Sequence, residues 1–143
     1  MIDGEYGPSP TSWVRDQVAA IDASGDTASV SVGGTSVVLL TMRGHVSGKV
    51  RKVPLIRVEH GGRYAVIGSR GGAPDNPKWV SNLRADPDIF VQDGTVVLPM
   101  RAREVHAAER EEWWQRCVEE FADFAEYTKN TTRVFPVFVL EPR

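Results

Sequence analysis

Residues 89–98 of the 143-residue chain read IFVQDGTVVL, two runs of β-branched and aromatic residues on either side of Asp93-Gly94. Asp-Gly between such runs is typical of a tight β-hairpin, because the two turn positions need positive φ. A second hairpin is predicted at Gly61-Gly62, between strands at residues 53–59 and 63–69. These links indicate antiparallel pairing, and they decide the class of fold.

The rest of the chain supplies further strands and three helices. Short apolar runs predict strands at residues 37–41, 100–105 and 135–140. Apolar residues at helical spacing predict a first helix capped by Ser12 and ended by Gly25, a short helix that begins at Pro77 behind Asp75 or Asn76 as its cap, and a long amphipathic helix over residues 107–127.

The order of these elements predicts an α+β, mainly β fold: an antiparallel barrel flanked by helices. Pro54 cannot donate a ladder hydrogen bond, so its strand should have an edge or a bulge at that point. The length fits a single domain, residues 1–143, with a lead and helix in residues 1–25 and the barrel in residues 37–143.

Composition limits the classes of function. The net charge of −2 argues against a nucleic-acid partner, and the basic residues are not interleaved with aromatic ones. No apolar run approaches the roughly 20 residues of a membrane span, and the N-terminus lacks the features of a secretory signal. We therefore expect a cytoplasmic protein without stable membrane insertion.

The cysteine and the histidines indicate no metal site. Cys117 is the single cysteine and falls within the amphipathic helical pattern, so a buried thiol is expected rather than a nucleophile. His45, His60 and His106 are scattered without the spacing that zinc or iron sites show.

A basic strip suggests an anion site. Residues 43–58 hold five lysines and arginines and no acid, and within them Gly44 and Gly48 flank Ser47. Backbone N–H groups and the hydroxyl could converge there on a phosphate, with Lys49 and Arg51 supplying charge. A flexible hairpin with solvated basic residues remains the alternative.

A second loop, residues 69–83 with the sequence SRGGAPDNPKWVSNL, has a similar character. Gly71-Gly72 permit positive φ and a close approach of the backbone to a ligand, and the helix that begins near Pro77 directs its N-terminus into the same space. The alternative is a plain connection from strand to helix, with Trp79 in the core.

Together these residues resemble the deazaflavin-dependent (coenzyme F420-dependent) nitroreductase family, split β-barrel proteins of actinobacteria. Its motif Gly-Arg-x-Ser-Gly-x-x-Arg-x-x-Pro-Leu is matched at residues 44–55, except that His45 replaces the arginine. Its motif Ser-x-Gly-Gly-x-x-x-x-Pro-x-Trp-x-x-Asn-Leu-x-x-x-Pro is matched in full at residues 69–87. The resemblance extends from about Val37 to the C-terminus.

The resemblance implies a split β-barrel that binds coenzyme F420 and transfers a hydride from its reduced form to an activated alkene or enone, a quinone or a nitro compound. Pro54 and the segment from Ile67 through Ser69 to Gly72 would lie along the deazaflavin ring. Ser47, Lys49 and Arg51 would face the phosphate and the acidic tail, with Arg70 as a helper. Trp79 and Asn82 would support the loop and helix.

Proton donation and substrate choice are the less defined parts of this expectation. Ser69 and Tyr127 are the candidate proton donors, and Ile56, Phe121 and Phe124 are candidate lining residues for a bulky, apolar, enone-like substrate. His45 and Val46 make the strip less cationic than in many relatives.

Two alternatives stay open: an FMN-dependent oxidoreductase on the same barrel, and a non-catalytic protein that binds F420 or an apolar ligand. A monomer or a weak homodimer is expected.

Overall fold

The computed structural model describes residues 2–143. In chain order its helices and strands are α1 (Ser12–Ser24), β1 (Val37–Arg43), β2 (Val50–Ile56), β3 (Glu59–His60), β4 (Arg63–Ile67), α2 (Lys78–Ala85), β5 (Asp88–Asp93), β6 (Val96–Glu104), α3 (Ala107–Glu120), α4 (Asp123–Tyr127) and β7 (Val137–Pro142). Short 3₁₀ turns lie at Thr27–Ser29, Arg70–Gly72 and Thr128–Asn130.

The seven strands form one antiparallel sheet in the order β2-β1-β5-β6-β7-β4-β3. The edge strands β2 and β3 are joined by Arg57 and Val58 alone. Three Cα–Cα steps cover at most about 11 Å, so the sheet must curl until its two edges come close together. This confirms the predicted split barrel with flanking helices.

Strands β1, β4 and β7 are buried on both faces. Alternate residues, such as Leu40 of β1 and Phe138 of β7, fill the inside of the curled sheet, where Trp79 and Leu83 of α2 also pack. The other face of β1 meets α1 through Leu39. The outer faces of β4 and β7 are covered by α3 and α4. The buried residues of this layer include Ile67, Trp113, Cys117, Phe124 and Val139.

Several predicted features are present. Asp93 pairs with Val96 across the β5–β6 turn, and His60 pairs with Arg63 across the β3–β4 turn. Strand β2 is an edge strand, and its register with β1 runs without interruption, so Pro54 marks an edge and no bulge. Gly25 ends α1 with φ of 72°.

Three predicted boundaries of strands and helices were wrong. The strand expected over residues 53–59 is β2, which ends at Ile56 before the chain crosses to β3. The runs on either side of Pro99 form one strand, β6, because β7 pairs only from Met100 onward and Pro99 therefore has a paired strand on one side alone. The helix expected over residues 107–127 is two helices, since Phe121 is extended with φ of −145°.

The predicted helix caps also differ. Thr11 precedes α1, so Ser12 is its first helical residue. Pro77 is the N-cap of α2, which begins one residue later than expected. The side chain of Asn76 does not cap that helix, and its Oδ1 accepts a hydrogen bond from Arg133.

Within residues 2–143, none of the helices combines the length and the apolar character that crossing a bilayer demands.

Candidate functional site

The loop that follows β4 has an unusual backbone. Ser69 is right-handed helical, with φ of −80° and ψ of −39°, and the next three residues, Arg70, Gly71 and Gly72, have φ of 46°, 63° and 83°. Positive φ is easy for glycine, but it crowds the β-carbon of Arg70. The turn is closed by hydrogen bonds from Gly72 N to Ser69 O (2.9 Å) and from Ala73 N to Arg70 O (3.1 Å).

This backbone forms a donor concavity, which we call the 69–71 nest. A right-handed residue followed by a left-handed one directs three successive N–H groups toward a common point, an arrangement that binds anions and carbonyl oxygens. Within residues 2–143, the N–H groups of Ser69, Arg70 and Gly71 donate to no backbone carbonyl or side chain. The nest therefore has three N–H donors without a partner in residues 2–143; Arg70 and Gly71 are exposed, and Ser69 is buried.

Residues near the C-terminus pack against one side of the nest. A β-carbon on Gly72 would lie 2.6 Å from the carbonyl oxygen of Tyr127 and 2.9 Å from Cβ of Asn130, so only glycine fits there. A β-carbon on Gly71 would meet nothing within 4 Å. The nest is thus packed against α4 and the following turn on one side, and it has open space beside Gly71.

The loop between β1 and β2 holds the basic strip. Hydrogen bonds from Gly44 N to Lys49 O (2.8 Å) and from Gly48 N to Gly44 O (2.9 Å) define it, and Ser47 Oγ accepts from Lys49 N (3.2 Å). Arg51 donates to the carbonyl oxygens of Gly7 and Pro8, at 2.8 and 3.2 Å. Part of the Arg51 guanidinium is therefore committed to the N-terminal lead.

Helix α2 connects the two loops. Asn82 is buried, and its Oδ1 accepts hydrogen bonds from the backbone N–H of His45 (3.0 Å) and from its ring Nδ1 (2.9 Å). Trp79, on the same helix, is buried against Phe138 with ring centroids 6.1 Å apart. Because α2 begins a few residues after the nest, the nest and the 44–49 loop lie at the same end of the barrel.

The side chains around these loops are mainly cationic. Among the described residues, the Lys49 ammonium makes only a long ion pair, with 3.9 Å between its Nζ and Oε2 of the exposed Glu5. Arg70 and Lys78 are exposed on the nest and at the start of α2. Lysine and arginine side chains beside three unpaired N–H groups fit a flat, anionic ligand such as a deazaflavin coenzyme, with its polar ring edge and its acidic tail.

The structure brings most of the predicted site residues to this end of the barrel: Ser47, Lys49, Arg51, Ser69, Arg70, Gly71, Gly72, Trp79 and Asn82. Pro54 is separate from them, because it is buried in β2 opposite Leu39. Ile67 is buried at the end of β4, on the face that α3 and α4 cover.

Tyr127 lies beside the nest through its backbone, while its ring packs with other aromatic side chains. Its ring centroid is 6.3 Å from that of Phe121 and 6.4 Å from that of Phe124. Burial, together with the nearby Asp123 carboxylate, raises the pKa of the Tyr127 hydroxyl. The hydroxyl is therefore protonated at neutral pH.

One residue with many contacts at the site was not singled out from the sequence. Arg133 donates hydrogen bonds to the carbonyl oxygens of Gly68, Ser69 and Ala73. It lies in the segment TTRVFPV, which matches no motif, and its partners are about 60 residues earlier in the chain. Only the three-dimensional structure reveals the contact.

A separate cluster lies at the opposite end of β1, beside a cavity of about 390 Å³. The Asp93 carboxylate accepts from Tyr64 Oη (2.6 Å) and from Arg57 Nε (2.9 and 3.0 Å). Burial opposes ionisation of Asp93, but the two hydrogen bonds outweigh it and lower its pKa. Burial and Asp93 raise the pKa of Tyr64 to about 12. Because its groups satisfy one another, this cluster reads as a structural feature.

Several known proteins are similar to this chain in sequence and in structure. A Mycobacterium tuberculosis protein, Rv3178, named as a candidate F420H(2)-dependent quinone reductase, is 36% identical over 105 residues, which are 73% of this chain and 88% of that protein. A solved F420-H2 dependent reductase (FDR-A) is 49% identical with a TM-score of 0.70, covering 73% of this chain and 93% of its own.

Two further solved structures are similar. One, described as a domain-swapped dimer, is 48% identical with a TM-score of 0.73 and covers 93% of this chain and 100% of its own. The heme storage protein HutZ from Vibrio cholerae shares the fold alone, at 18% identity and a TM-score of 0.55 over 75% of this chain and 81% of its own.

The family model described as F420H(2)-dependent quinone reductase matches residues 13–142, which confirms the resemblance found in the sequence. The chain therefore belongs to the F420H(2)-dependent quinone reductase family, and it is an F420-dependent oxidoreductase with reduced coenzyme F420 as its cofactor.

Proposed function

We propose that this protein reduces quinones and related electron-poor conjugated carbonyl compounds with reduced F420 bound between the 69–71 nest and the 44–49 loop. The observation that carries the proposal is the placement of three unpaired N–H groups, those of Ser69, Arg70 and Gly71, next to a basic strip that α2 holds in place. Both halves of the site have the chemistry that the coenzyme requires.

Each part of the site has a proposed role in binding. The N–H groups of the nest donate to the electronegative edge of the deazaflavin ring. Ser47, Lys49 and Arg51 bind the phosphate and the acidic tail, and the exposed Arg70 adds charge at the junction. Trp79 and Asn82 fix the helix and the loop from the interior. Pro54 and Ile67 are buried and would act on the ring only through the strands that they belong to.

The bound cofactor supplies a hydride, so the protein must orient the substrate and provide a proton. Reduction of a quinone to a quinol consumes one hydride and one proton. Ser69, the first residue of the nest, and Tyr127, which stays protonated at neutral pH, are the proposed donors. The aromatic side chains of Phe121, Phe124 and Tyr127 offer an apolar surface next to α4, which favours a bulky, flat, apolar substrate over a small nitro compound.

A single chain is the proposed catalytic unit. The proposed contacts to the cofactor and substrate, from the nest, the basic strip and Tyr127, need residues of one chain only. Sedimentation of the active protein as a monomer is expected, and activity confined to a dimer would contradict this part of the proposal.

Binding is tested by titrating the protein with oxidised F420 and following quenching of the cofactor fluorescence, with FMN in parallel. Saturable binding in the micromolar range is expected for F420, and Arg51→Ala should weaken it about tenfold through loss of a cation. Arg63→Ala, which removes an exposed arginine from the β3–β4 hairpin, is the matched control. Binding of FMN without binding of F420 would favour the FMN-dependent alternative.

Turnover is tested with reduced F420 and a panel of three electrophiles: menadione, cyclohexenone and a nitroimidazole. The proposal predicts the highest kcat/KM with menadione, weaker reduction of cyclohexenone and the slowest reaction with the nitro compound. Tight F420 binding without turnover of any of the three would favour the non-catalytic alternative.

A further inference from the structure

Arg133 commits every donor of its guanidinium to the loop that carries the nest. Nε donates to Ala73 O (3.1 Å), Nη1 donates to Gly68 O (3.0 Å) and to Asn76 Oδ1, and Nη2 donates to Ser69 O and Ala73 O (both 2.9 Å). A guanidinium has five N–H groups, so none is left over. The side chain is half-buried, with the guanidinium carbon 4.8 Å from the centre of the Phe135 ring.

No carboxylate competes for this guanidinium. Within residues 2–143, Arg133 has no aspartate or glutamate oxygen within 4.0 Å, whereas several exposed arginines, such as Arg84 and Arg101, are paired with acids. Its partners are neutral carbonyl and amide oxygens from residues 68–76. An ion pair would draw the guanidinium away from these oxygens. Because none forms in the described part of the chain, all hydrogen bonds of the Arg133 side chain go to residues 68–76.

These hydrogen bonds determine where the N–H groups of the nest point. In a trans peptide the C=O of one residue and the N–H of the next point in opposite directions. Because the carbonyls of Gly68 and Ser69 point toward Arg133, the N–H groups of Ser69 and Arg70 point away from it. The guanidinium therefore orients two of the three donors without touching the ligand.

The same hydrogen bonds span the disfavoured part of the backbone. The left-handed run of Arg70, Gly71 and Gly72 lies between Ser69 and Ala73, whose carbonyls both accept from Nη2 of Arg133. A residue with a β-carbon, such as Arg70, adopts this conformation only where its surroundings enforce it. Arg133 joins the two ends of the run and thereby holds the turn.

We propose that Arg133 is a positioning residue for cofactor binding: it orients the nest toward the cofactor from the opposite side of the loop. This inference rests on the proposed binding site. The planar fork of arginine is essential to the role, because the ammonium of lysine has three donors and cannot reach the same set of carbonyls.

The test compares Arg133→Lys, which keeps the charge, with Arg110→Gln as the matched control. Arg110 is also half-buried, and it lines a cavity of about 310 Å³ that Arg133 lines as well. Its Nη2 donates a hydrogen bond to the carbonyl oxygen of Phe135. It makes no hydrogen bond to residues 68–76. We expect Arg133→Lys to raise the dissociation constant for oxidised F420 about tenfold, and Arg110→Gln to change it less than twofold.

Two further measurements separate positioning from folding. Methylguanidinium at millimolar concentration should restore F420 affinity to Arg133→Ala and should leave that of Arg110→Gln unchanged. The amide resonances of Ser69, Arg70 and Gly71 should shift in Arg133→Lys even without ligand. Asn76→Ala removes one of the four acceptor atoms, and with it one of the five hydrogen bonds, and should give a smaller shift, which supplies a milder variant if the lysine variant fails to fold.

The outcomes are distinguishable from failure of the proposed function. If the wild-type protein does not bind F420, the proposed function fails, and the amide resonances still test the positioning of the nest. Wild-type affinity in Arg133→Lys, or unchanged amide resonances at Ser69, Arg70 and Gly71, would overturn the inference.

Discussion

Asn82 holds His45 by two hydrogen bonds, from the backbone N–H at 3.0 Å and from ring Nδ1 at 2.9 Å, both to the same carboxamide oxygen. Asn82 is buried on α2, and His45 belongs to the loop with the basic strip, 37 residues earlier. With the oxygen as acceptor, Nδ1 of His45 must carry the proton. This contact joins the 44–49 loop to α2, and so connects the two halves of the proposed cofactor site.

Replacing Asn82 should loosen the 44–49 loop. Asn82→Ala leaves the His45 N–H without its partner, and losing a hydrogen bond of this kind costs about 1–2 kcal/mol. F420 affinity is expected to fall by about tenfold, measured by fluorescence titration. Asn82→Asp keeps an acceptor oxygen and should retain most of the affinity. Equal loss in both variants would show that the hydrogen bond to His45 does not matter for binding.

The two adjacent glycines of the nest should respond differently to alanine. In Gly72→Ala the new methyl would meet the Tyr127 carbonyl at 2.6 Å, so the backbone must move. We expect a loss of about 2–4 kcal/mol in the free energy of unfolding, measured with urea. Gly71→Ala has open space and should cost only the left-handed strain, about 1 kcal/mol. Similar losses at both positions would contradict the packing described for Gly72.

The Asp93 cluster should make stability depend on acid pH. Hydrogen bonds from Arg57 and Tyr64 lower the folded-state pKa of Asp93 despite its burial, so the unfolded chain binds the proton more tightly. The stabilisation is present above about pH 4 and is lost as pH falls through the lowered pKa. It amounts to about 1–2 kcal/mol, since the Asp93 side chain is 22% exposed and that of Arg57 is 40% exposed. Asp93→Asn should remove this part of the urea-unfolding profile measured between pH 2 and 5.

Tyr64 should contribute at the alkaline end. Its folded-state pKa is raised to about 12 from 10.0 by burial and by Asp93, so the folded chain binds the proton more tightly. That stabilisation is complete below pH 10 and is lost as pH rises toward 12. Tyr64→Phe should lack this loss, whereas Asp93→Asn should reduce it. An alkaline unfolding profile that is unchanged in Tyr64→Phe would count against the assignment.

Cys117 should be chemically inert in the folded protein. The thiol is completely buried in α3, and burial, with Glu120 nearby, raises its pKa to about 12. Iodoacetamide at pH 8 should modify it only after denaturation, because the thiolate is the reactive species. Modification is measured by mass spectrometry. Rapid modification of the native protein would show that α3 opens readily.

The sequence predicted those elements whose signals are local. Asp93-Gly94 and Gly61-Gly62 indicated both hairpins. Gly61 and Gly62 form the β3–β4 turn with positive φ, whereas in the β5–β6 turn only Gly94 has positive φ and Asp93 is the last residue of β5. The edge position of Pro54 followed from its missing N–H. Seven strands in one curled sheet agree with these local rules, and the matched motif at residues 69–87 contains the 69–71 nest of the proposed site.

The errors arose where tertiary packing decides the structure. Phe121 interrupts the long helix although neither glycine nor proline is present. Its ring centroid lies 5.1 Å from that of Phe124, and its ring also packs close to Gly33, contacts that local sequence does not indicate. Pro99 was read as a strand boundary, yet β7 ends next to it and the strand continues. The contact of Arg133 with residues 68–76 bridges about 60 positions, a distance over which local pattern carries no information.

The proposed cofactor site is tested most directly by titrating ¹⁵N-labelled protein with oxidised F420 and recording the amide resonances by NMR. We expect the largest shifts at Ser69, Arg70 and Gly71 and further shifts at Ser47 and Lys49. The amide resonances of Arg57 and Asp93, at the opposite end of β1, should stay unchanged. Shifts concentrated around the cavity beside Asp93, with the nest unaffected, would contradict the proposed site.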